Sequence, residues 1–398
     1  MSELPLVVVG ASLAGLRAVE AARKTGYAGP IVLVGAETHL PYDRPPLSKA
    51  YLDPGDEPTP TTYRSEDELD QLDVEMRLGV RATGLDTKAR QVTIGDQTIP
   101  YRGLVIATGA YAREPPGERL DGVHTLRTVD DARSIRNALD TGASTVVVGG
   151  GFIGSEIAAA ARKRDLPVTI LEAADLPLIA AVGEQMAAVC SGLHARHGTT
   201  LRCGTAVASL EGEGRVEQVR LSDGTVLAAD LVVVGIGAEP AVDWLTESGL
   251  HLDHGVVCDT TLRAAHGIYA AGDVARWTNP VFGDRMRLEH WTSAAEQGGA
   301  AARNALDPDN AQPYSTVPYF WSDWYTDKLQ MVGITDADEV RFIGDPDDEQ
   351  WLALYRRRDL LVGALTLNRP GKIMKYRAMI SRNTPWHDAL DFAGVLTC

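Results

Sequence analysis

The chain has 398 residues, which is too long for one ordinary domain and predicts two or three. Its apolar fraction of 44% and charged fraction of 23% are typical of a soluble globular protein. A formal net charge of −16 argues against nucleic acid or an anionic membrane as the main partner, and no apolar run approaches the roughly 20 residues that span a bilayer. Because the first predicted strand begins almost at the N-terminus, we expect no signal peptide and a cytoplasmic protein.

The first predicted elements form a βαβ unit. Residues 6–9 are a run of branched apolar side chains, typical of a strand buried on both faces. A glycine-containing turn, a helix over residues 16–24 and a second buried strand over residues 31–34 follow, and Glu37 closes that strand. This order predicts a dinucleotide-binding unit in which Glu37 accepts hydrogen bonds from an adenosine ribose.

The turn of this unit has the residues that a diphosphate requires. Gly10 permits a sharp turn, Gly15 allows helix and strand to pack closely, and the helix N-terminus offers free N–H groups to an anion. Ser12 stands where the middle glycine of the fingerprint belongs, so this copy departs from the ideal.

A short acidic helix is predicted over residues 66–73, followed by a hairpin from Gln91 and a buried strand over residues 104–107. Thr108 and Gly109 end that strand. The A-T-G ending is similar to the strand that returns beside the fingerprint strand in flavoproteins with two dinucleotide sites. An unrelated buried strand stopped by glycine is the alternative.

A second βαβ unit starts at residue 145, with Gly149, Gly151 and Gly154 in full G-x-G-x-x-G register and Glu172 closing its second strand. A hairpin and a return strand follow it, as they follow the first unit. Such a duplication predicts two nucleotide-binding modules.

The remaining predicted elements are less regular. A helix is predicted over residues 125–140, and a short strand over residues near 270 runs into Gly272 and Asp273, which we expect at the N-terminus of a helix. The C-terminal part predicts a small α+β domain, with strands over residues 330–334, 340–343, 351–355 and 360–367 and a helix over residues 373–382.

The segment LPYDRPPLSK, residues 40–49, resembles the signature of FAD-dependent ferredoxin reductases, which feed electrons from NADH to bacterial monooxygenases and dioxygenases. The other motifs extend this resemblance over nearly the whole chain. It implies an α/β fold with two Rossmann-like dinucleotide-binding domains, similar to glutathione reductase, plus a small C-terminal α+β domain. The implied FAD-binding domain is discontinuous (1–112 and 244–317), with the NAD-binding domain at 113–243 and the C-terminal domain at 318–398.

The resemblance also implies the site residues. We expect non-covalent FAD to be bound by Gly10, Ser12, Leu13, Ala14, Gly15, Glu37, Arg44, Pro46, Lys49, Ala82, Ala107, Thr108, Gly109, Arg127, Gly272, Asp273, Trp291 and Trp321. We expect NADH to be bound by Gly149, Gly151, Phe152, Ile153, Gly154, Glu156, Glu172 and Gly237. Lys49 and Glu156 are the catalytic candidates: Lys49 for stabilising negative charge on the flavin ring, Glu156 for positioning at the nicotinamide. We expect no metal site.

The cysteines argue against an internal disulfide as the electron acceptor. Cys190, Cys203, Cys258 and Cys398 form no close pair, whereas related disulfide reductases need one beside the flavin. The reduced flavin must then pass its electrons to an acceptor outside the chain, and the resemblance implies that this partner is a two-iron, two-sulfur ferredoxin, which takes one electron at a time. A rubredoxin reductase, an NADH oxidase of the same fold or an NADH-responsive switch similar to apoptosis-inducing factor are the alternatives.

Overall fold

The structure is a computed structural model that describes residues 3–56, 58, 60–115, 117 and 120–395. Its α-helices are α1 (Leu13–Lys24), α2 (Glu66–Asp70), α3 (Val129–Asp140), α4 (Phe152–Arg162), α5 (Ile179–Val182), α6 (Glu184–Arg196), α7 (Trp291–Leu306), α8 (Pro370–Ser381) and α9 (Trp386–Ala393).

The strands of the first half are β1 (Leu6–Val9), β2 (Ile31–Val34), β3 (Val74–Arg77), β4 (Ala82–Asp86), β5 (Gln91–Ile94), β6 (Gln97–Pro100), β7 (Gly103–Ile106), β8 (Ala110–Ala112), β9 (Val123–Thr125), β10 (Thr145–Val148), β11 (Val168–Leu171), β12 (Thr200–Arg202) and β13 (Val207–Glu211). The remaining strands are β14 (Gln218–Leu221), β15 (Val226–Ala228), β16 (Leu231–Val234), β17 (Ala238–Pro240), β18 (Val256–Cys258), β19 (Arg263–Ala265), β20 (Ile268–Ala270), β21 (Ala275–Asn279), β22 (Asp284–Arg287), β23 (Tyr319–Trp324), β24 (Asp327–Gly333), β25 (Glu339–Ile343), β26 (Trp351–Arg357) and β27 (Leu360–Leu367).

The chain divides into two compact units, the first made of Met1–Asp43, Pro60–Tyr111 and Glu239–Pro318. Its main sheet has the strand order β19-β20-β7-β1-β2-β3, with β1 parallel to both β2 and β7. All residues of β1, β2 and β7 are buried, and α1 packs on β1 and β2 while α7 packs on β7 and β20. The smaller sheets β4-β5-β6 and β18-β21-β22 complete the unit.

The second unit is made of Arg44–Thr59, Ala112–Ala238 and Tyr319–Cys398. It contains a parallel sheet with the order β12-β11-β10-β16-β9, the antiparallel sheet β13-β14-β15 and a five-stranded antiparallel sheet, β23-β24-β27-β26-β25. Helix α4 packs against β10 and β11 and also contacts β23, while α8 packs on β24 and β27. The predicted fold class, two Rossmann-like modules and a C-terminal α+β domain, is confirmed.

Several predicted helix ends were wrong. Helix α1 begins at Leu13, three residues before the predicted start, because Ser12 has extended backbone and directly precedes the first helical turn. Helix α2 ends at Asp70, since Asp73 adopts a left-handed conformation with φ of 47° and β3 begins after it. Helix α3 begins only at Val129, after a capping box between Thr128 and Asp131.

The prediction that Asp273 lies at a helix N-terminus was also wrong. Gly272–Val274 is a single 3-10 turn, and β21 starts immediately after it. Gly272 has a φ of 77°, which lies in the left-handed region, so the chain turns there and continues as a strand.

Candidate functional site

In the first unit, the glycine turn after β1 is a cradle that only glycine fits. Gly10 has a φ of 120°, and a Cβ on it would lie 2.0 Å from the Ala107 carbonyl oxygen. A Cβ on Gly15 would lie 1.8 Å from the Gly10 carbonyl oxygen. Because β1 and β7 are parallel neighbours, this turn lies beside Ala107 and Thr108 at the carboxyl ends of the two strands. The open N-terminus of α1 at this turn suits a dinucleotide diphosphate.

Three further predicted residues of the first unit lie near this turn or at the same sheet edge. Glu37 follows β2 and accepts a 2.6 Å hydrogen bond from the Tyr42 hydroxyl group. The Gly272 turn packs against α1, since a Cβ on Gly272 would lie 3.2 Å from the Ala14 Cβ. The carbonyl of Asp273 accepts a 3.0 Å bond from Arg287.

Trp291, the first residue of α7, is held by its indole N–H group. The indole Nε1 donates to the Asp43 carboxylate at 2.8 Å and lies 3.1 Å from the Tyr63 hydroxyl oxygen. That hydroxyl donates to the same Asp43 oxygen at 2.7 Å, and burial together with the Asp43 hydrogen bond raises the Tyr63 pKa. Asp43, a residue of the signature segment, orients Trp291 through this hydrogen bond, and no local sequence signal indicates that role.

Leu13 starts α1, Gly109 follows β7, and Ala82 starts β4 in a separate antiparallel sheet.

In the second unit, the turn after β10 repeats the cradle of the first. Gly149 has a φ of 103°, and a Cβ on it would lie 2.4 Å from the Gly235 carbonyl oxygen. A Cβ on Gly154 would lie 2.2 Å from the Gly149 carbonyl oxygen. Gly151 is the N-cap of α4 and Phe152 its first residue. This turn also fits a dinucleotide.

Glu172, at the end of β11, is fixed beside this turn. One carboxylate oxygen accepts a 2.9 Å bond from the Gly150 N–H group, and the other accepts a 3.0 Å bond from the Ala174 N–H group. The carboxylate thus lies at the edge of the glycine turn, where the fingerprint predicts a ribose.

The other residues of this unit that are predicted to bind NADH are exposed or partly buried. Ile153 is 40% exposed, and Gly237 follows β16 with a φ of 98°. The Phe152 ring packs on Phe320 of β23 at 4.9 Å between centroids.

The two catalytic candidates meet in the second unit. The Lys49 ammonium group lies 2.9 Å from a carboxylate oxygen of Glu156, which is the fifth residue of α4 and only 3% exposed. Two hydroxyl groups, from Ser48 and Ser322, also donate to this carboxylate at 2.5 Å each. The structure thus shows a buried acid paired with a lysine of the signature segment. Lys49 and Glu156 are both candidates from the sequence, whereas neither serine is indicated by a motif.

The signature segment is anchored beside this pair. Arg44 donates a 2.6 Å bond to the Arg127 carbonyl oxygen, and Pro46 lies in the 3-10 turn that precedes Lys49. Arg136, which is buried in α3, donates to the carbonyl oxygens of Tyr51 and Asp53 at 2.7 Å. An arginine in an amphipathic helix gives no sequence signal for such a role.

Trp321 in β23 stacks on Tyr319 at 5.9 Å between ring centroids and is partly buried. The three arginines at positions 356–358 are partly paired with acids. Arg356 lies 2.8 Å from Glu339 and Arg357 lies 3.4 Å from Asp336, while the backbone N–H group of Arg358 donates to Asp338.

The described cysteines are free thiols, and Cys398 lies outside the described residues. Cys190 and Cys258 are buried, and burial raises both pKa values to about 12, which keeps the thiols protonated. No helix in the described part of the chain is both long and apolar enough to cross a membrane.

Comparison with known proteins gives two family matches. Residues 4–298 match the pyridine nucleotide-disulphide oxidoreductase model, and residues 319–392 match the reductase C-terminal model. The chain is 36% identical over 388 residues to rhodocoxin reductase of Rhodococcus erythropolis, covering 96% of this chain and 90% of that protein.

Two further similarities agree with these matches. The chain is 39% identical over 354 residues to the ferredoxin–NAD(+) reductase component of the anthranilate 1,2-dioxygenase system of Burkholderia cepacia, covering 87% of this chain and 86% of that protein. The solved covalent complex of putidaredoxin reductase with putidaredoxin is similar with a TM-score of 0.91 and 32% identity, over 97% of this chain and 94% of that one.

Proposed function

This chain belongs to the pyridine nucleotide-disulphide oxidoreductase family and has the reductase C-terminal domain, and we propose that it is an NADH-dependent ferredoxin reductase with bound FAD. The family resemblance predicted from the sequence is confirmed by these matches. The proposed electron acceptor is a two-iron, two-sulfur ferredoxin that serves an oxygenase, as the names of the relatives suggest.

The observation that carries this proposal is the pairing of Lys49 with the buried Glu156. Burying two charges is costly, so a buried pair between a lysine of the FAD-signature segment and an acid of the NAD-unit helix supports a functional role for both residues. When bound, FAD supplies the chemistry that accepts a hydride and releases single electrons. In this proposal Lys49 directs positive charge at the place where negative charge develops on reduction.

The residue assignments remain those that the sequence implies. The Gly10 turn, Glu37 and the Gly272 turn would hold FAD, and the Gly149 turn with Glu172 would hold NADH. Neither glycine turn has room for a Cβ atom, and this supports both assignments. We also propose that the domain boundaries are those predicted from the sequence, and that the protein is cytoplasmic.

An anaerobic titration tests the proposal. We expect the purified protein to be yellow, to be bleached by one equivalent of NADH, and to be reoxidised by an added two-iron, two-sulfur ferredoxin. Fast cytochrome c reduction should require that ferredoxin. Acid precipitation should release all flavin as FAD, because no covalent attachment is expected.

Two outcomes would contradict the assignment. Rapid turnover with oxygen alone would favour an NADH oxidase. Slow turnover with a long-lived flavin–nicotinamide charge-transfer band would favour an NADH-responsive switch.

A further inference from the structure

The Glu156 carboxylate is surrounded by donors on both of its oxygen atoms. Oε2 accepts bonds from the Ser48 hydroxyl at 2.5 Å and from the Lys49 ammonium group at 2.9 Å. Oε1 accepts bonds from the Ser322 hydroxyl at 2.5 Å and from the Asp323 N–H group at 3.3 Å. Lys49 is therefore only one of four groups that donate hydrogen bonds to this carboxylate.

Both hydroxyl groups are as deeply buried as the acid. Ser48 is 3% exposed and Ser322 is 0% exposed, so water does not replace either of them readily. A buried ionised carboxylate is unfavourable unless donors satisfy both oxygens, and bonds to a charged group are among the strong ones. The two serines are thus part of what keeps Glu156 buried as an anion.

The direction of the Ser322 hydroxyl is fixed by a second bond. The Trp324 indole N–H group donates to the Ser322 oxygen at 2.9 Å, so this oxygen already acts as an acceptor there. Its own proton is then directed to Glu156. Trp324 is fully buried and stacks on His194 at 4.9 Å between ring centroids, which holds this donor in place.

The two serines reach the carboxylate from different parts of the second unit. Ser48 ends the 3-10 turn of the signature segment, and Ser322 lies in β23 of the C-terminal domain. The carboxylate orientation is therefore determined jointly by the signature segment and by the C-terminal domain.

We propose that Ser48 and Ser322 are positioning residues for hydride transfer, an inference that rests on the proposed function. Their hydroxyl dipoles point their positive ends at Glu156 and offset part of its negative charge. More of the positive charge of Lys49 is then left to favour reduction of the flavin. Through Ser322, the C-terminal domain contributes to the electrostatics of flavin reduction by NADH.

The test uses the flavin-loaded protein and the variants Ser48→Ala and Ser322→Ala. We expect each to slow stopped-flow flavin reduction by NADH on the order of tenfold, less than the loss of a donor that itself touches the reacting group. We also expect the flavin midpoint potential, measured by equilibrium dye titration, to fall in both variants, because the local potential becomes more negative. Ser48→Ala leaves the Trp324 bond untouched, so it covers the case in which Ser322→Ala folds poorly.

The matched control is Thr366→Val. Thr366 is fully buried in β27 of the same C-terminal sheet, and its hydroxyl has no hydrogen-bond partner among the described residues. It pairs with Gln330, whereas Ser322 pairs with the adjacent Leu329, so the two hydroxyl groups lie on opposite faces of the sheet. Loss of this hydroxyl should leave the rate and the midpoint potential unchanged.

A double-mutant cycle separates positioning from general packing. In a Glu156→Gln background the serine substitutions should have little further effect on rate or potential, because they act through the carboxylate charge. Additive effects in that background would overturn the proposal. So would an unchanged rate and midpoint potential in both serine variants, measured beside a wild type that NADH reduces rapidly. A wild type that binds FAD but is not reduced by NADH would instead reject the proposed function.

Discussion

Replacement of Lys49 by methionine is the sharpest perturbation of this site, because it removes a charge and leaves another one buried. Two unit charges 2.9 Å apart attract by about 6 kcal/mol at an effective dielectric constant of about 20. Desolvation of both groups offsets much of this attraction, and breaking a buried pair typically costs about 3–5 kcal/mol. The Lys49 side chain is 18% exposed, and three donors remain on Glu156, so we expect a loss of stability of about 2–3 kcal/mol.

The catalytic loss should be separable from this loss of stability. We expect Lys49→Met to slow flavin reduction by roughly 10–1000-fold, as for the loss of one electrostatic stabiliser. The double variant Lys49→Met/Glu156→Gln removes the orphaned charge. It should therefore regain most of the stability while remaining slow.

The assay combines thermal unfolding of the flavin-loaded protein with stopped-flow reduction by NADH. Lys163→Met is the matched control, since Lys163 forms an ion pair with Asp53 in which both side chains are more than 40% exposed. Such a pair contributes about 0–1 kcal/mol, so this variant should resemble the wild type in both measurements. An unchanged reduction rate in Lys49→Met, or a double variant restored in rate as well as in stability, would refute the reasoning.

Three further predictions concern the nucleotide, the partner and pH. We expect the wild type to prefer NADH over NADPH by about tenfold or more, because NADPH would lose hydrogen bonds to Glu172 worth roughly 1.5–3 kcal/mol each. Glu172→Gln should reduce this preference, and Asp175→Asn is the control. Equal catalytic efficiencies of the wild type with NADH and NADPH would count against the assignment. The Michaelis constant for ferredoxin should rise as the salt concentration exceeds about 0.1 M, where the Debye screening length falls to about 10 Å, while the Michaelis constant for NADH stays constant. A Michaelis constant for ferredoxin that does not change with salt would exclude electrostatic docking. Burial, followed by the nearby His197 charge, lowers the pKa of His194 from 6.5 to about 4, so this histidine favours the folded state fully above pH 6.5 and progressively less as pH falls to about 4. The loss should be on the order of 3 kcal/mol and should be absent in His194→Gln, whose unfolding midpoint compared with that of the wild type across pH 4–7 checks it.

Local sequence determined the modules of this protein. Runs of branched apolar residues such as Leu6–Val9 are typical of strands buried on both faces, and β1, β2 and β10 of the parallel sheets and β27 of the antiparallel C-terminal sheet begin at the predicted residues. The glycines of both fingerprints follow from the same local logic, because Gly10 and Gly149 have positive φ and no space for a Cβ. Lys49 and Glu156 were identified through motifs that surround them in sequence.

Only the tertiary structure decided which side chains donate hydrogen bonds to the Glu156 carboxylate. Ser322 lies 166 positions from Glu156 and Ser48 lies 108 positions away, and no local period links such residues. The same holds for Asp43, which lies 248 positions from the indole that it orients. The Asp273 turn failed as a helix start for a related reason, since the left-handed backbone of Gly272 sends the chain into β21. Hydrogen bonds to a buried charge depend on how sheets and helices pack, and a single sequence carries periodicity and turn chemistry but not that packing.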